Sequence, residues 1–438
     1  MTATRPVIGF AGLTHLGLNM AAASAARGFQ VIGFHDDTTT VDAINGGDLP
    51  VNEPGLDALV TDNRERLIFT ADAKDLARCD LVYVSVDVPT DDCGQSDLDP
   101  IRTIIATVES AMRDDGLLIV LCQVPPGFTR QLSREPARLY YQVETLIFGR
   151  AVERAMHPER FIVGCAVPTS PIDTRLATYL GAFDCPILPM RYESAELAKI
   201  SINMCLVASI GVANTMAEVC ENIGADWSEI VPALRLDARI GPKSYITPGL
   251  GLAGGNLERD LATVTGLADS FGTDAGIVRA WTSNSAYRKD WCHRVLAREI
   301  LDDMPDAKIG VLGLAYKEDT HSTKNAPSLA LLSHLEASRV TIHDPVVRAT
   351  DVNPGLNAAD NPLSACDGAD AVVIVTPWQQ YGDLDPDDIA HRMRGRLLID
   401  PFGLLPGNSV AAAGLDHFVL GRGPVRAATD AIRKGTHA

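Results

Sequence analysis

Residues 7–17 read VIGFAGLTHLG and residues 309–319 read IGVLGLAYKED. In each, a short apolar run suited to a strand buried on both faces passes through a glycine into a turn. Around the first stretch, residues 6–10 predict a strand, a helix follows through Ala26, and residues 30–34 predict a second strand. Further strands are expected at 81–86, 117–122 and 161–164. Around the second stretch, strands are expected at 308–312, 339–343, 371–375 and 397–400, with a helix over 327–337. Strands alternating with helices build parallel sheets covered on both faces, so the fold class is α/β, with one such domain near each end of the chain.

The middle reads differently. Residues 193–223 predict one long, largely apolar helix, interrupted only by Gly211. About 30 residues at 1.5 Å each span ~45 Å, the length of a spine between domains or half of a dimer interface. Two shorter core helices broken near Gly211 are the alternative. The expected division is therefore 1–188, 189–303 and 304–438, and the polar tail after Gly421 is expected to fray.

Composition narrows the partners. The 438 residues carry 38 Lys and Arg against 56 Asp and Glu, a formal charge of −18, which argues against nucleic acid or an anionic membrane as partner. An anionic ligand has to be held by a few placed cations and backbone amides. Contiguous apolar runs such as GLLIVLCQV fall short of the ~20 residues that span a bilayer, and the N-terminus lacks the pattern of a secretion signal. Nine cysteines stand singly, at 79, 93, 122, 165, 185, 205, 220, 292 and 366, with no CxxC pair. They read as reduced thiols of a cytoplasmic protein, and no cluster has metal-ligand spacing.

The first turn carries a degraded dinucleotide fingerprint. Gly12 and Gly17 stand where G-x-G-x-x-G requires glycine, but the middle position is Thr14. That glycine normally lets backbone approach a pyrophosphate at the helix N-terminus. Taken alone, the turn reads either as a dinucleotide site or as a tight strand-to-helix connection. The acidic position about 20 residues on is occupied by His35, with Asp36 and Asp37 beside it. Adjacent acids would repel a 2′-phosphate, which favours NAD over NADP. His15 reads either as a cofactor contact or as a solvent-facing loop residue.

Several ordered segments, quoted as they stand, are VDAINGGDLPVNEPGLDALV, DLVYVSVDVPTDDCGQSDLDP, VPPGFT, VETLIFGRA, HPERFIVG, ESAELAKISINM, DARIGPKSYITPGLGLAGGNLERD, GLAYKEDTHSTKNAPS and DAVVIVTPW. Their order and spacing over residues 6–403 resemble the UDP-glucose/GDP-mannose dehydrogenases, NAD-dependent oxidisers of nucleotide sugars. The resemblance implies two Rossmann-like domains joined by a long central helix and a helical dimerisation domain, hence a homodimer, with NAD as cofactor and a nucleotide sugar as substrate. It implies that Lys199 and Asn203 hold the developing alkoxide and a water, that Glu144 orients water, and that Asp260 supports the reacting centre. It places Gly12, Thr14, His15, Leu16, Gly17, Asp36, Val88, Pro89, Gln123 and Lys324 at the cofactor. Leu146, Arg239, Gly254, Tyr316 and Lys317 go to the substrate, the arginine reaching across from a second subunit.

The departures carry as much information. The family's nucleophile lies in a segment of the form G-F-G-G-S-C-F-P-K-D, and this chain has Asn256 where the cysteine belongs. An amide cannot form the thiohemiacetal and thioester of the family's two-step oxidation. Gln123, Cys122, Val88, Phe148, Lys324 and Phe402 also depart from the family pattern, and Cys122 is the one cysteine placed to substitute. The expected activity is a single hydride transfer giving an aldehyde or ketone, with Asn256 contacting substrate. A redox-neutral enzyme that retains its NAD, or a non-catalytic homologue that binds nucleotide sugar, are the alternatives.

Overall fold

The computed structural model describes residues 5–91 and 94–427; Cys93 and residues 428–438 of the polar tail lie outside them. The chain divides into two compact units, Met1–Ile202 and Asn203–Ala438. Among the described residues, the first unit carries β1 (Ile8–Ala11), β2 (Val31–Phe34), β3 (Leu67–Thr70), β4 (Leu81–Val84), β5 (Leu117–Val120), β6 (Leu139–Gln142), β7 (Phe161–Cys165) and β8 (Ile187–Arg191). They form one sheet in the order β3-β2-β1-β4-β5-β6-β7-β8. The first six stand in the doubly wound order, in which ligands bind beyond the carboxyl ends of the strands, between β1 and β4. Of the paired strands, β6 and β7 run antiparallel and the rest are parallel.

β1, β2, β4 and β5 are buried throughout, which is why IGFA, VIGF, LVYV and LLIV are unbroken apolar runs. Alternate side chains feed two apolar clusters, Phe10, Tyr83 and Ile119 into one, and Val82, Val84 and Val120 into the other.

In the second unit, β9 (Ile309–Leu312), β10 (Val340–His343), β11 (Asn357–Ala358), β12 (Ala371–Ile374), β13 (Leu397–Ile399) and β14 (Asp416–Phe418) form a parallel sheet. Its order, β11-β10-β9-β12-β13-β14, repeats the doubly wound pattern. The likeness of the two opening stretches thus has a structural counterpart. Gly12 follows β1 at φ +103°, and a Cβ there would lie 2.5 Å from Val86 Cγ1; Gly313 follows β9 at φ +111°, and a Cβ there would lie 2.3 Å from Thr376 Oγ1.

The long helix, Tyr192–Ile223, spans 32 residues without a break. At Gly211 the absent Cβ leaves room for Trp281, whose Cδ1 would stand 3.2 Å from it, so this glycine serves a close helix approach instead of an interruption. Although no contiguous apolar run is long enough, this helix as a whole is long and apolar enough by composition to cross a bilayer, with a mean hydropathy of 1.5 and 33% of that window buried within the structure. Two expectations are corrected. The helix predicted over 327–337 ends at Leu332, where the Ser333 hydroxyl donates to the Ala330 carbonyl at 2.7 Å and competes with the helical ladder. The tail does not fray immediately after Gly421: Arg422 bridges to Asp226, Val425 pairs with His417, and the Ala427 N–H donates to Asp416 Oδ1 at 2.9 Å.

Candidate active site

In the first unit the turn between β1 and the helix His15–Ala26 is packed without slack. A Cβ on Gly17 would stand 1.8 Å from the Gly12 carbonyl oxygen and 2.6 Å from Ser85 Oγ. Ser85 itself donates to the Gly12 carbonyl at 2.9 Å, tying the end of β4 to the turn. Thr14 is the N-cap, but its side chain makes no capping bond to the helix; its hydroxyl donates instead to the Ser85 carbonyl at 3.3 Å. The first-turn amides are therefore not capped by this residue, and together with the glycine cradle they suit a pyrophosphate. These residues fit a dinucleotide. Leu16 is 6% exposed and belongs to the core, so only its backbone is available to a ligand.

Asp36 and Asp37, read together in the sequence, separate in the structure. Asp37 caps the helix Thr38–Gly46 by accepting the Thr39 and Thr40 N–H groups, each at 3.1 Å. The Thr40 hydroxyl bond above all, with these backbone bonds, holds its carboxyl below the usual range. Asp36, whose side chain is 87% exposed, is the acid left for a ribose. Val88 is half-buried against the core, while Pro89 is exposed, its carbonyl accepting the Asp97 N–H at 2.9 Å. Gln123 is half-buried beyond the end of β5.

Lys199 and Glu144 come together. The ammonium lies 3.5 Å from Glu144 Oε2, with side-chain exposures of 16% and 19%. Glu144 also accepts the Leu146 N–H, and both residues line a cavity with Leu16, Leu121 and Gln142. Cys122 does not provide a substitute nucleophile. It is fully buried, its thiol donates to the Val84 carbonyl at 3.3 Å, and burial pushes it up to about 12, so it remains a thiol near neutral pH.

In the second unit, Asn203 donates to Asp260 Oδ2 at 2.6 Å, and the Arg259 guanidinium lies 3.6 Å from Asp260 Oδ1. All three are buried, Asp260 to 1% exposure. Asn256 is the first residue of the helix Asn256–Phe271 and is exposed. The residues around it are tightly held. Gly254, at φ +83°, would place a Cβ 2.7 Å from the Tyr316 ring, and a Cβ on Gly255 would lie 3.2 Å from the Lys324 stem. The Gly254 N–H donates to the Lys324 carbonyl at 2.9 Å. Burial raises the Tyr316 phenol, with Glu318 adding to the effect, and Lys317 lies 6.0 Å from its ring centroid. Thus Gly254, Asn256, Tyr316, Lys317 and Lys324 belong to one neighbourhood. Arg239 is the exception: its side chain is 89% exposed and paired with Asp237 at 2.7 Å.

Three carboxylates in these neighbourhoods carry no role in the sequence reading. Glu258 accepts the Gly255 N–H at 3.1 Å, the Asn325 amide at 2.9 Å and the Lys289 ammonium at 2.9 Å, the half of a capping box that a glycine N-cap permits. Glu196, one turn before Lys199, is fully buried and accepts the Gly127 and Thr129 N–H groups at 2.5 and 2.8 Å. Burial raises its carboxyl. Glu53 bonds to His15, whose ring stacks on Phe148 with centroids 3.9 Å apart. The acidic residue three positions after Gly255 is a local signal for the first; the other two partnerships join residues 38 to 69 positions apart and leave no local signal.

Residues 7–176 match the NAD binding domain of the UDP-glucose/GDP-mannose dehydrogenase family, residues 193–285 its central domain and residues 310–406 its UDP binding domain. The chain is 30% identical to a UDP-glucose 6-dehydrogenase of Pseudomonas aeruginosa, over 94% of this chain and 96% of that protein. It is 28% identical to one of Rhizobium meliloti, over 94% and 98%. A solved UDP-glucose dehydrogenase of Pyrobaculum islandicum superposes with a TM-score of 0.81 at 25% identity, covering 91% of this chain and 94% of that one. The chain belongs to the UDP-glucose/GDP-mannose dehydrogenase family, as an NAD-dependent oxidoreductase of nucleotide sugars.

Proposed function

We propose that this chain performs one hydride transfer from a nucleotide sugar, with UDP-glucose the first substrate to test, and releases an aldehyde or ketone. The observation that carries the reading is Asn256, exposed on the first turn of its helix at the position where the family resemblance calls for a cysteine. Cys122, the one cysteine that the sequence places to substitute, is buried and protonated, so it does not capture the aldehyde. NAD supplies the hydride acceptor. Lys199, held by Glu144, stabilises the alkoxide as the hydroxyl proton leaves to that pair. Asn203, oriented by Asp260, has an amide N–H to offer the substrate or a water, and Asn256 donates to the substrate. Gly12, Thr14, Gly17 and Asp36 hold the dinucleotide; Gly254, Tyr316, Lys317 and Lys324 line the approach to the substrate.

The working assembly is a homodimer of three-domain chains in the cytoplasm, divided at 1–188, 189–303 and 304–438. It is supported by four exposed apolar residues on the central helix, Val212, Met216, Val219 and Ile223, at 57%, 42%, 42% and 69% exposure. Their spacings of four, three and four form the apolar seam of a helix pair. In that assembly Arg239, with its side chain 89% exposed, reaches the partner's substrate. Mass spectrometry of the sugar product tests the reading: a product two hydrogens lighter than the substrate is expected, and a uronic acid contradicts it.

A further inference from the structure

Glu53, 3% exposed, lies just ahead of the short helix Leu56–Asp62. Its Oε1 accepts the Gly149 N–H at 2.9 Å and lies 2.7 Å from His15 Nε2, while Oε2 accepts the Ala151 N–H at 3.1 Å. An oxygen that accepts a backbone N–H is the acceptor toward the ring as well, so Nε2 carries a proton. In the neutral imidazole Nδ1 is then left with a lone pair, and it can donate to an anion only by taking up a second proton. The Phe148 ring, inclined by 24°, fixes the plane of the imidazole. His15 is also the first residue of the helix His15–Ala26, at the turn that suits a pyrophosphate.

An arriving pyrophosphate brings negative charge to this helix N-terminus, and charge of that sign beside the ring favours its protonated form. We infer that NAD binding to this chain is coupled to proton uptake at His15, with Glu53 the positioning residue that holds Nε2 and leaves Nδ1 to meet the anion. This rests on placing the pyrophosphate at the Gly12–Gly17 turn. The charged neighbours on the adjoining segments have partners of their own: Arg150 pairs with Glu153, Arg154 with Glu159 and Glu144 with Lys199. Asp57, on the short helix after Glu53, is exposed.

Linkage makes the coupling reciprocal: NAD favours the protonated ring, and acid tightens NAD. Calorimetry of NAD binding to the full chain, in buffers of different ionisation heat, is expected to show fractional proton uptake, with Kd falling several-fold from about pH 8 to about pH 6. His15→Gln should abolish the uptake and flatten the pH profile while leaving weaker binding, and Glu53→Gln should reduce the uptake. Nitrogen-15 resonances of the His15 ring in the unsubstituted chain report the same proton and should move toward the imidazolium on adding NAD. Normal NAD binding with no proton uptake, or uptake that persists in His15→Gln, overturns the coupling while leaving the cofactor site in place. If Gly17→Ala leaves NAD affinity unchanged, the pyrophosphate lies elsewhere and the coupling falls with it.

Discussion

At position 256 a carboxamide occupies the first residue of a helix, where the dipole would depress the pKa of a thiol. That position is exposed, whereas Cys122 is fully buried. In an Asn256→Cys variant, iodoacetamide at neutral pH should alkylate residue 256 quickly and leave Cys122 unmodified, as peptide mapping would show; labelling of Cys122 at a comparable rate would contradict the burial argument. Asp260 makes a different prediction. It is the counter-charge of a nearly buried Arg259 and the acceptor for Asn203, so Asp260→Asn should cost about 3 kcal/mol of stability. The urea midpoint should fall with the slope unchanged. The roles proposed for Lys199 and Asn203 follow from family resemblance, but their pairing with Glu144 and Asp260 is set only by folding. The Glu53–His15–Phe148 group was still less legible, because a carboxylate before Pro54 carries no sign of which distant ring it will bind.

Among the elements, the cofactor turn depends on contacts that leave no volume for a methyl group. Gly17→Ala would drive a Cβ into the Gly12 carbonyl, and its expected outcome is loss of measurable NAD binding by calorimetry together with a lowered Tm; undiminished affinity would place the cofactor elsewhere. β1, β2, β4 and β5 were legible because burial on both faces leaves them no polar positions, whereas the equally buried β6, with Gln142 in it, was not. The edges were not. β3 exposes Ile68 between buried Leu67 and Phe69, and β8 carries Pro189, tolerable at a sheet edge but a signal against a strand in sequence. The central helix was legible in extent, while the role of Gly211 needed Trp281, 70 residues away, to become clear.

For the whole molecule, the charge of −18 makes phosphate recognition a local matter, and the candidate cations Lys317, Lys324 and Arg239 are few. The exposed seam on the central helix supports a dimer. Val212→Glu combined with Val219→Glu changes two exposed positions, so the fold should survive while light scattering moves from dimer to monomer mass; a mass unaffected by the pair would contradict the seam. With NAD in excess and a limiting nucleotide sugar that the chain consumes completely, absorbance of the reduced nicotinamide counts the hydrides removed from each sugar. One NADH per sugar is expected at completion, and two would contradict a single hydride transfer.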